Sequence, residues 1–111
     1  MLKKSFILLV FLLSILLFIP LSFAATPIST CQTIDTPGEY YLTRDIIFSE
    51  LSGGSPVCLH ITSANVYLDG RGYGINMSAT NSYPTEAIYI ASDRNITIAN
   101  LNISNFDYGI I

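Results

Sequence analysis

The sequence predicts an all-β solenoid, in which short strands stack in parallel instead of folding back as hairpins. Two segments share one pattern: LHITSANVYLDGRGYGINMS at residues 59–78 and IYIASDRNITIANLNIS at residues 88–104. Each holds three short runs of alternating apolar residues, separated by turns of Asn, Gly, Asp and Ser. YGII at residues 108–111 echoes AIYI at residues 87–90, so a further copy begins there.

The first 24 residues have the pattern of a secretory signal peptide. Two lysines precede an apolar run over residues 6–19, and small residues lead up to Ala24. We expect residues 1–24 to be removed on export, which would leave a secreted protein that is extracellular, on the cell surface, or periplasmic in a Gram-negative organism. A retained membrane anchor is the alternative, because the apolar run approaches spanning length.

The charge of the exported part disfavours a nucleic-acid partner. Both lysines lie in the leader, so three arginines face eight carboxylates, a net charge of −5. Cys31 and Cys58 are the two cysteines of the chain. Without a CxxC pair or clustered histidines, they are predicted to form a disulfide between the first exported segment and the first core strand.

The repeat predicts which apolar residues stack on each other. Val66 should lie over Ile96 and Leu68 over Ile98, as inward-facing ladders of parallel strands. The third strands are aligned through Ile75 and Met77 against Leu101 and Ile103.

Two turn positions and one inserted loop complete the repeat. Gly70 and Asn100 are predicted to be equivalent turn residues, because Gly and Asn are the residue types that best tolerate positive φ. The polar stretch SATNSYPTE at residues 78–86 is predicted to be a loop inserted between copies.

The motifs CQTIDTPGEYYLTRDI, VCLHITSANVYLDGRGYGI and AIYIASDRNITIANLNISNFDYGI resemble a known group of proteins. They are similar to the N-terminal part of exported right-handed parallel β-helix proteins of the pectate-lyase-like superfold. The proteins they resemble include the exported NosD-like, carbohydrate-binding and sugar-hydrolase (CASH) type of archaeal and bacterial surface proteins. The resemblance implies a cap over residues 25–56, with Tyr41 or Leu42 facing inward, and about two coils over residues 57–111. We expect the chain to be truncated at its C-terminal end.

This fold hosts lyases, hydrolases, adhesins and scaffolds, so the resemblance leaves the function open. Enzymes of this kind use clustered carboxylates and a basic residue. The charged residues near the coils are Asp69, Arg71, Asp93, Arg94 and Asp107. We interpret them as turn residues, because LDG and DRN are turn sequences, and assign no catalytic residue.

A NosD-like role in copper insertion would require a cluster of soft ligands. The candidates are His60, Met77 and the two cysteines, which are predicted to be joined. His60 alternates with inward residues, so it is predicted to be an ordinary outward residue. We therefore predict no metal site and no cofactor.

Tyrosines and asparagines are the remaining candidates. Tyr67 and Tyr89 are predicted to face outward and to contact sugar rings, the alternative being cross-strand packing. Asn76, Asn95 and Asn102 begin glycosylation sequons.

The sequence thus favours an exported, noncatalytic β-helix segment with a structural or carbohydrate-contacting surface role. The alternatives are the N-terminal part of a polysaccharide lyase or glycoside hydrolase, or of a NosD-like periplasmic copper-insertion protein. The expected partners are a polysaccharide or glycan and, through the open C-terminal coil, a second copy of the chain.

Overall fold

The computed structural model describes residues 2–17, 24–48, 56–78, 84–92 and 94–111. Within these ranges, one helix, α1 (Leu2–Leu17), precedes eleven strands. The strands are β1 (Thr26–Ile28), β2 (Gln32–Ile34), β3 (Gly38–Leu42), β4 (Ile46–Phe48), β5 (Val57–Ile61), β6 (Val66–Asp69), β7 (Gly74–Met77), β8 (Glu86–Ile90), β9 (Ile96–Ala99), β10 (Asn102–Ser104) and β11 (Tyr108–Ile110).

The helix α1 forms within the predicted leader, where apolar residues follow two lysines. Its side chains from Phe6 to Leu13 are exposed. In the part of the chain that is described, no helix combines the length and the hydropathy needed to cross a bilayer. Of the expected cleavage region, residues 18–23 lie outside the described residues and Ala24 lies inside them, and the signal peptide stays a prediction.

The strands form three sheets, and every strand pair within them is parallel. Sheet A has the order β1-β3-β6-β9, sheet B the order β11-β8-β5-β2, and sheet C the order β10-β7-β4. Consecutive strands lie in different sheets, so we group β2–β4, β5–β7 and β8–β10 as the first, second and third strand triplets. The fold is therefore all-β with parallel sheets, consistent with a parallel solenoid.

The predicted ladders are confirmed in sheet A. Val66 pairs with Ile96 and Leu68 with Ile98. In sheet B, Ile88 pairs with Ile110, which confirms the echo between YGII and AIYI. The largest fully buried apolar side chains of the sheets, apart from Cys58, are Ile28, Ile34, Leu42, Leu59, Ile61, Val66, Leu68, Ile75 and Ile88.

The predicted alignment of the third strands is wrong by two residues. Ile75 pairs with Ile103, not with Leu101. The turn between β6 and β7 spans residues 70–73, whereas the turn between β9 and β10 spans only residues 100–101. The longer turn delays the start of β7 relative to β10, which a fixed repeat cannot anticipate.

The prediction of positive φ is confirmed at Asn100, where φ is 54°, and wrong at Gly70. In the second triplet the positive values fall on Arg71, at 51°, and Gly72, at 82°. Gly70 is instead required by close approach, because a Cβ atom there would collide with the Asn100 carbonyl oxygen and lie 2.7 Å from the Cα atom of Leu101. The turn at residues 70–73 therefore packs directly on the turn at residues 100–101.

Residues of the predicted cap pair with the coils in all three sheets: β2 with β5, β3 with β6 and β4 with β7. Leu42 is buried, as predicted, and Tyr41 points to the outer side. Residues 49–55 lie outside the described residues, and the domain boundary at 56 stays a prediction. Of the predicted inserted loop, residues 79–83 also lie outside them, and Glu86 already belongs to β8.

Candidate functional site

The predicted disulfide is present. The Sγ atoms of Cys31 and Cys58 are 2.00 Å apart, and their Cα atoms 4.5 Å. Cys31 directly precedes β2, and Cys58 lies in β5, so the bond joins two neighbouring strands of sheet B. Such a bond fits an oxidising compartment outside the cytoplasm.

Tyr67 and Tyr89 are both exposed but lie on different sheets. Tyr67 is in β6 of sheet A and is 41% exposed, whereas Tyr89 is in β8 of sheet B and is 38% exposed. The structure therefore does not bring the two predicted sugar-contacting residues together on one surface. The role of each tyrosine therefore depends on the residues around it on its own sheet.

The ring of Tyr89 packs against His60. The ring centroids are 5.2 Å apart in an edge-on arrangement, and the two residues are register partners in sheet B. His60 is half-buried, and its Nε2 atom is buried and has no hydrogen-bond partner among the described residues. His60 is therefore less exposed than the sequence predicted. Tyr89 thus belongs to a cross-strand aromatic contact, which matches the packing alternative.

Tyr67 lies at the centre of a polar surface on the outer side of sheet A. Its register partners are Glu39 in β3 and Thr97 in β9. Two residues farther along, Tyr41 is paired with Asp69. We call this surface, together with the side chain of Arg71, the tyrosine face: Glu39, Tyr41, Tyr67, Asp69, Arg71 and Thr97.

A contact between Arg71 and Tyr41 was not predicted from the sequence. The Arg71 guanidinium carbon lies 3.6 Å from the centre of the Tyr41 ring, a cation–π contact. The backbone N–H of Arg71 donates a 2.8 Å hydrogen bond to Oδ1 of Asp69, which holds the turn with its positive φ. The sequence left open whether Tyr41 or Leu42 faces inward, and the register between β3 and β6, which pairs Tyr41 with Asp69, lies outside the repeat.

Asp69 is held in its ionised form. The N–H of Arg71, and after it the side-chain amide of Asn100, which donates to Oδ1 over 3.2 Å, keep the pKa of Asp69 below its ordinary value. Hydrogen bonds to a carboxylate favour its charged form. The tyrosine face therefore keeps this negative charge in mildly acidic solution.

A cleft of about 410 Å³ opens at the Glu39 edge of the tyrosine face. It is lined by Ala24, Thr26, Thr36, Pro37, Gly38, Glu39 and Tyr40. The Tyr40 hydroxyl donates to the carbonyl of Thr36 over 2.7 Å and lies 2.8 Å from the Thr36 hydroxyl. Glu39 thus lies between the cleft and the exposed ring of Tyr67.

The other candidate charged residues have backbone partners in turns. Asp107 accepts hydrogen bonds at Oδ2 from the backbone N–H of Thr85, at 2.8 Å, and from its hydroxyl, at 3.1 Å. Asp45 similarly accepts the backbone N–H of Gly74. The carbonyl of Arg94 accepts the N–H of Asn65, and Asp93 lies outside the described residues.

The candidate metal ligands are separated. His60 is on the outer side of sheet B, whereas Met77 is buried in sheet C. Among the residues with described positions, no group of three His, Cys, Asp or Glu side chains could hold a metal ion.

The three sequon asparagines already make hydrogen bonds between neighbouring triplets. Asn95 donates to Asn65, and Asn102 donates to the carbonyl of Gly72 over 3.2 Å. Oδ1 of Asn76 accepts from Ser104 at 3.1 Å and from Asn105 at 2.7 Å. The first two side chains are exposed and Asn76 is half-buried. Their glycosylation stays a prediction.

Comparisons of the chain with protein-family models, with curated proteins and with solved structures gave no match.

Proposed function

We propose that this chain is an exported, noncatalytic segment of a right-handed parallel β-helix of the NosD-like, carbohydrate-binding type, and that it contacts glycans through the tyrosine face. The parallel sheets and the two confirmed ladders support the helix. Right-handedness is supported by the strong preference of parallel crossover connections for that hand. The disulfide and the leader pattern support export.

The observation that carries the proposal is the exposed ring of Tyr67 on the outer side of sheet A, with a carboxylate beside it in each of two directions. Glu39 is its register partner, and Asp69 lies two residues along the same strand. A tyrosine ring offers an apolar surface for the C–H face of a sugar, and planar polar side chains beside it can bind the sugar hydroxyls. An extended sheet surface suits an extended polysaccharide.

The enzymatic and copper alternatives have less support. A lyase or hydrolase needs carboxylates that face substrate or a bound cation. The carboxylates of Asp45, Asp69 and Asp107 each accept a hydrogen bond from a backbone N–H group, so they are engaged within the fold. A copper site needs converging soft ligands, and His60 and Met77 lie on different sheets.

Affinity electrophoresis of the purified chain in gels that contain single soluble polysaccharides tests the proposal. At least one polysaccharide should retard the wild type. Tyr67→Ala should weaken this retardation about tenfold, which corresponds to about 1.4 kcal/mol. Tyr89→Ala is the matched control, because Tyr89 is similarly exposed but lies on sheet B, and it should bind like the wild type.

Retardation by no polysaccharide, or equal loss in both variants, would reject glycan contact by the tyrosine face. Thermal melts of both variants accompany the measurement. Exposed positions outside special backbone geometry usually change stability little, so both should fold.

A further inference from the structure

Arg71 presents its hydrogen-bond donors in a fixed orientation. Its backbone is held by Asp69, and its guanidinium lies over the Tyr41 ring. Among the described residues, none accepts a hydrogen bond from the guanidinium and none forms an ion pair with it. A stacked guanidinium keeps its N–H groups in one plane around its edge, so they are available to a ligand on the tyrosine face.

The charges around Tyr67 are of both signs and have no positive excess. Arg71 is compensated by Glu39 and Asp69, which belong to the same face. Arg44 lies in the turn after β3 and is followed directly by Asp45, which offsets its charge. Counting Arg94 as well, three arginines meet the four carboxylates of Asp35, Glu39, Asp45 and Asp69, Asp93 directly precedes Arg94 in the sequence, and the whole chain has a net charge of −3. Such a surface has no field that would attract a polyanion.

Interleaved donors and acceptors are suited to hydroxyl groups, which donate and accept hydrogen bonds. The Arg71 guanidinium is a pure donor, and the Glu39 carboxylate is a pure acceptor. Glu39 is the register partner of Tyr67, and Arg71 lies over Tyr41, which is two residues from Glu39 in β3. A sugar ring on Tyr67 would meet both kinds of group.

We infer that the tyrosine face binds a neutral glycan, with Tyr67 stacking on a sugar ring while Arg71 donates to its hydroxyls and Glu39 accepts from them. The inference rests on the proposed glycan contact and specifies its substrate class and two further binding residues. Asp69 acts as a positioning residue, since it holds the turn that carries Arg71.

The test compares three charge classes of glycan by affinity electrophoresis of the full purified chain. Hydroxyethylcellulose, laminarin and mannan are the neutral probes, polygalacturonate and alginate are the anionic probes, and chitosan oligomers in competition are the cationic probe. Each is measured at about 0.01 M and about 1 M salt, where screening differs most. Retardation should occur with a neutral probe and change less than twofold with salt.

Two arginine variants test the binding role. Arg71→Lys keeps the charge but loses the planar donor fork, so binding of the neutral probe should weaken about fivefold. Arg44→Lys is the matched control, because Arg44 is also in a turn but has no aromatic ring beneath it among the described contacts, and it should bind like the wild type. Glu39→Gln, which adds a donor in place of the charged acceptor, should also weaken binding.

The outcomes separate the two proposals. Preferential retardation by polyuronate or chitosan that fades at about 1 M salt would overturn the neutral-glycan inference and leave glycan contact intact. Wild-type binding by Arg71→Lys would overturn the role of Arg71. Retardation by no probe of any class would reject both the inference and the proposed function.

Discussion

The side-chain amide of Asn95 donates a 2.8 Å hydrogen bond to Oδ1 of Asn65. Each residue directly precedes a strand of sheet A, and each has positive φ, 52° at Asn95 and 58° at Asn65. Asparagine meets both requirements of this position, because it tolerates the left-handed region and its amide nitrogen can donate to the amide oxygen of the equivalent asparagine one triplet away. The hydrogen bond between equivalent asparagines of successive triplets therefore stabilises both turns.

Replacing Asn95 should separate these two contributions. Asn95→Ala loses the hydrogen bond and places a Cβ-bearing residue without a compensating polar group at positive φ, so unfolding should become easier by about 2 kcal/mol. Asn95→Gly also loses the hydrogen bond but accepts the backbone conformation, so its loss should be smaller. Urea denaturation followed by circular dichroism measures both. An alanine variant as stable as the glycine variant would show that the left-handed backbone costs nothing here.

Reduction of the disulfide should destabilise the chain substantially. The bond closes a segment with a sequence separation of 27 residues, for which the chain-entropy model gives about 3.5 kcal/mol. Adding dithiothreitol should therefore lower the urea midpoint of the wild type. The Cys31→Ser/Cys58→Ser variant is the control and should not respond to the reductant. Two free thiols in the nonreduced protein, measured by alkylation and intact mass, would contradict the pairing.

Gly70→Ala should be strongly destabilising. The new methyl group would meet backbone atoms of Asn100 and Leu101, which cannot move aside without separating the second and third triplets. We expect a loss of more than about 2 kcal/mol, as for other overpacked positions. Gly109→Ala is the control, because its nearest neighbour would be the Cγ2 atom of Ile103 at 3.9 Å, an ordinary contact. Equal stability of the two variants in urea would show that the turns are farther apart than described.

Asp69 should make stability depend on pH in the acid range. Its pKa in the folded chain is lowered, first by the N–H of Arg71 and then by the amide of Asn100. The stabilising effect of the ionised carboxylate is therefore present above the ordinary aspartate pKa of about 3.9 and is lost as the pH falls through the lower folded value. Between about pH 5 and about pH 2, the urea midpoint of the wild type should fall more than that of Asp69→Asn. Identical pH profiles would refute the assignment.

The core ladders were predictable because they depend on local alternation. Val66 and Leu68 are separated by one outward residue, as are Ile96 and Ile98, and equal spacing within two copies is enough to align them. The position of Ile75 was not predictable, because it depends on how many residues a turn contains. That length is determined by contacts between turns about 30 residues apart.

The candidate site was predictable only in part. The outward position of Tyr67 follows from the same alternation. The neighbours of Tyr67 do not, since Glu39 and Tyr41 come from a segment whose sequence differs from the repeat. The separation of Tyr67 from Tyr89 could be seen only once the sheets were known. The turn at residues 62–65 connects β5 in sheet B to β6 in sheet A, so Tyr67 lies on a different sheet from Tyr89 in β8.

The parallel register of sheet A is the central claim, since it aligns the core and assembles the tyrosine face. Methyl-labelled nuclear Overhauser spectroscopy of the purified chain tests it directly. We predict contacts between the methyl groups of Val66 and Ile96 and between those of Leu68 and Ile98. Contacts of Leu68 with Leu59, as in an antiparallel hairpin of residues 59–68, with none from Leu68 to Ile98, would contradict the parallel stack and the proposed face with it.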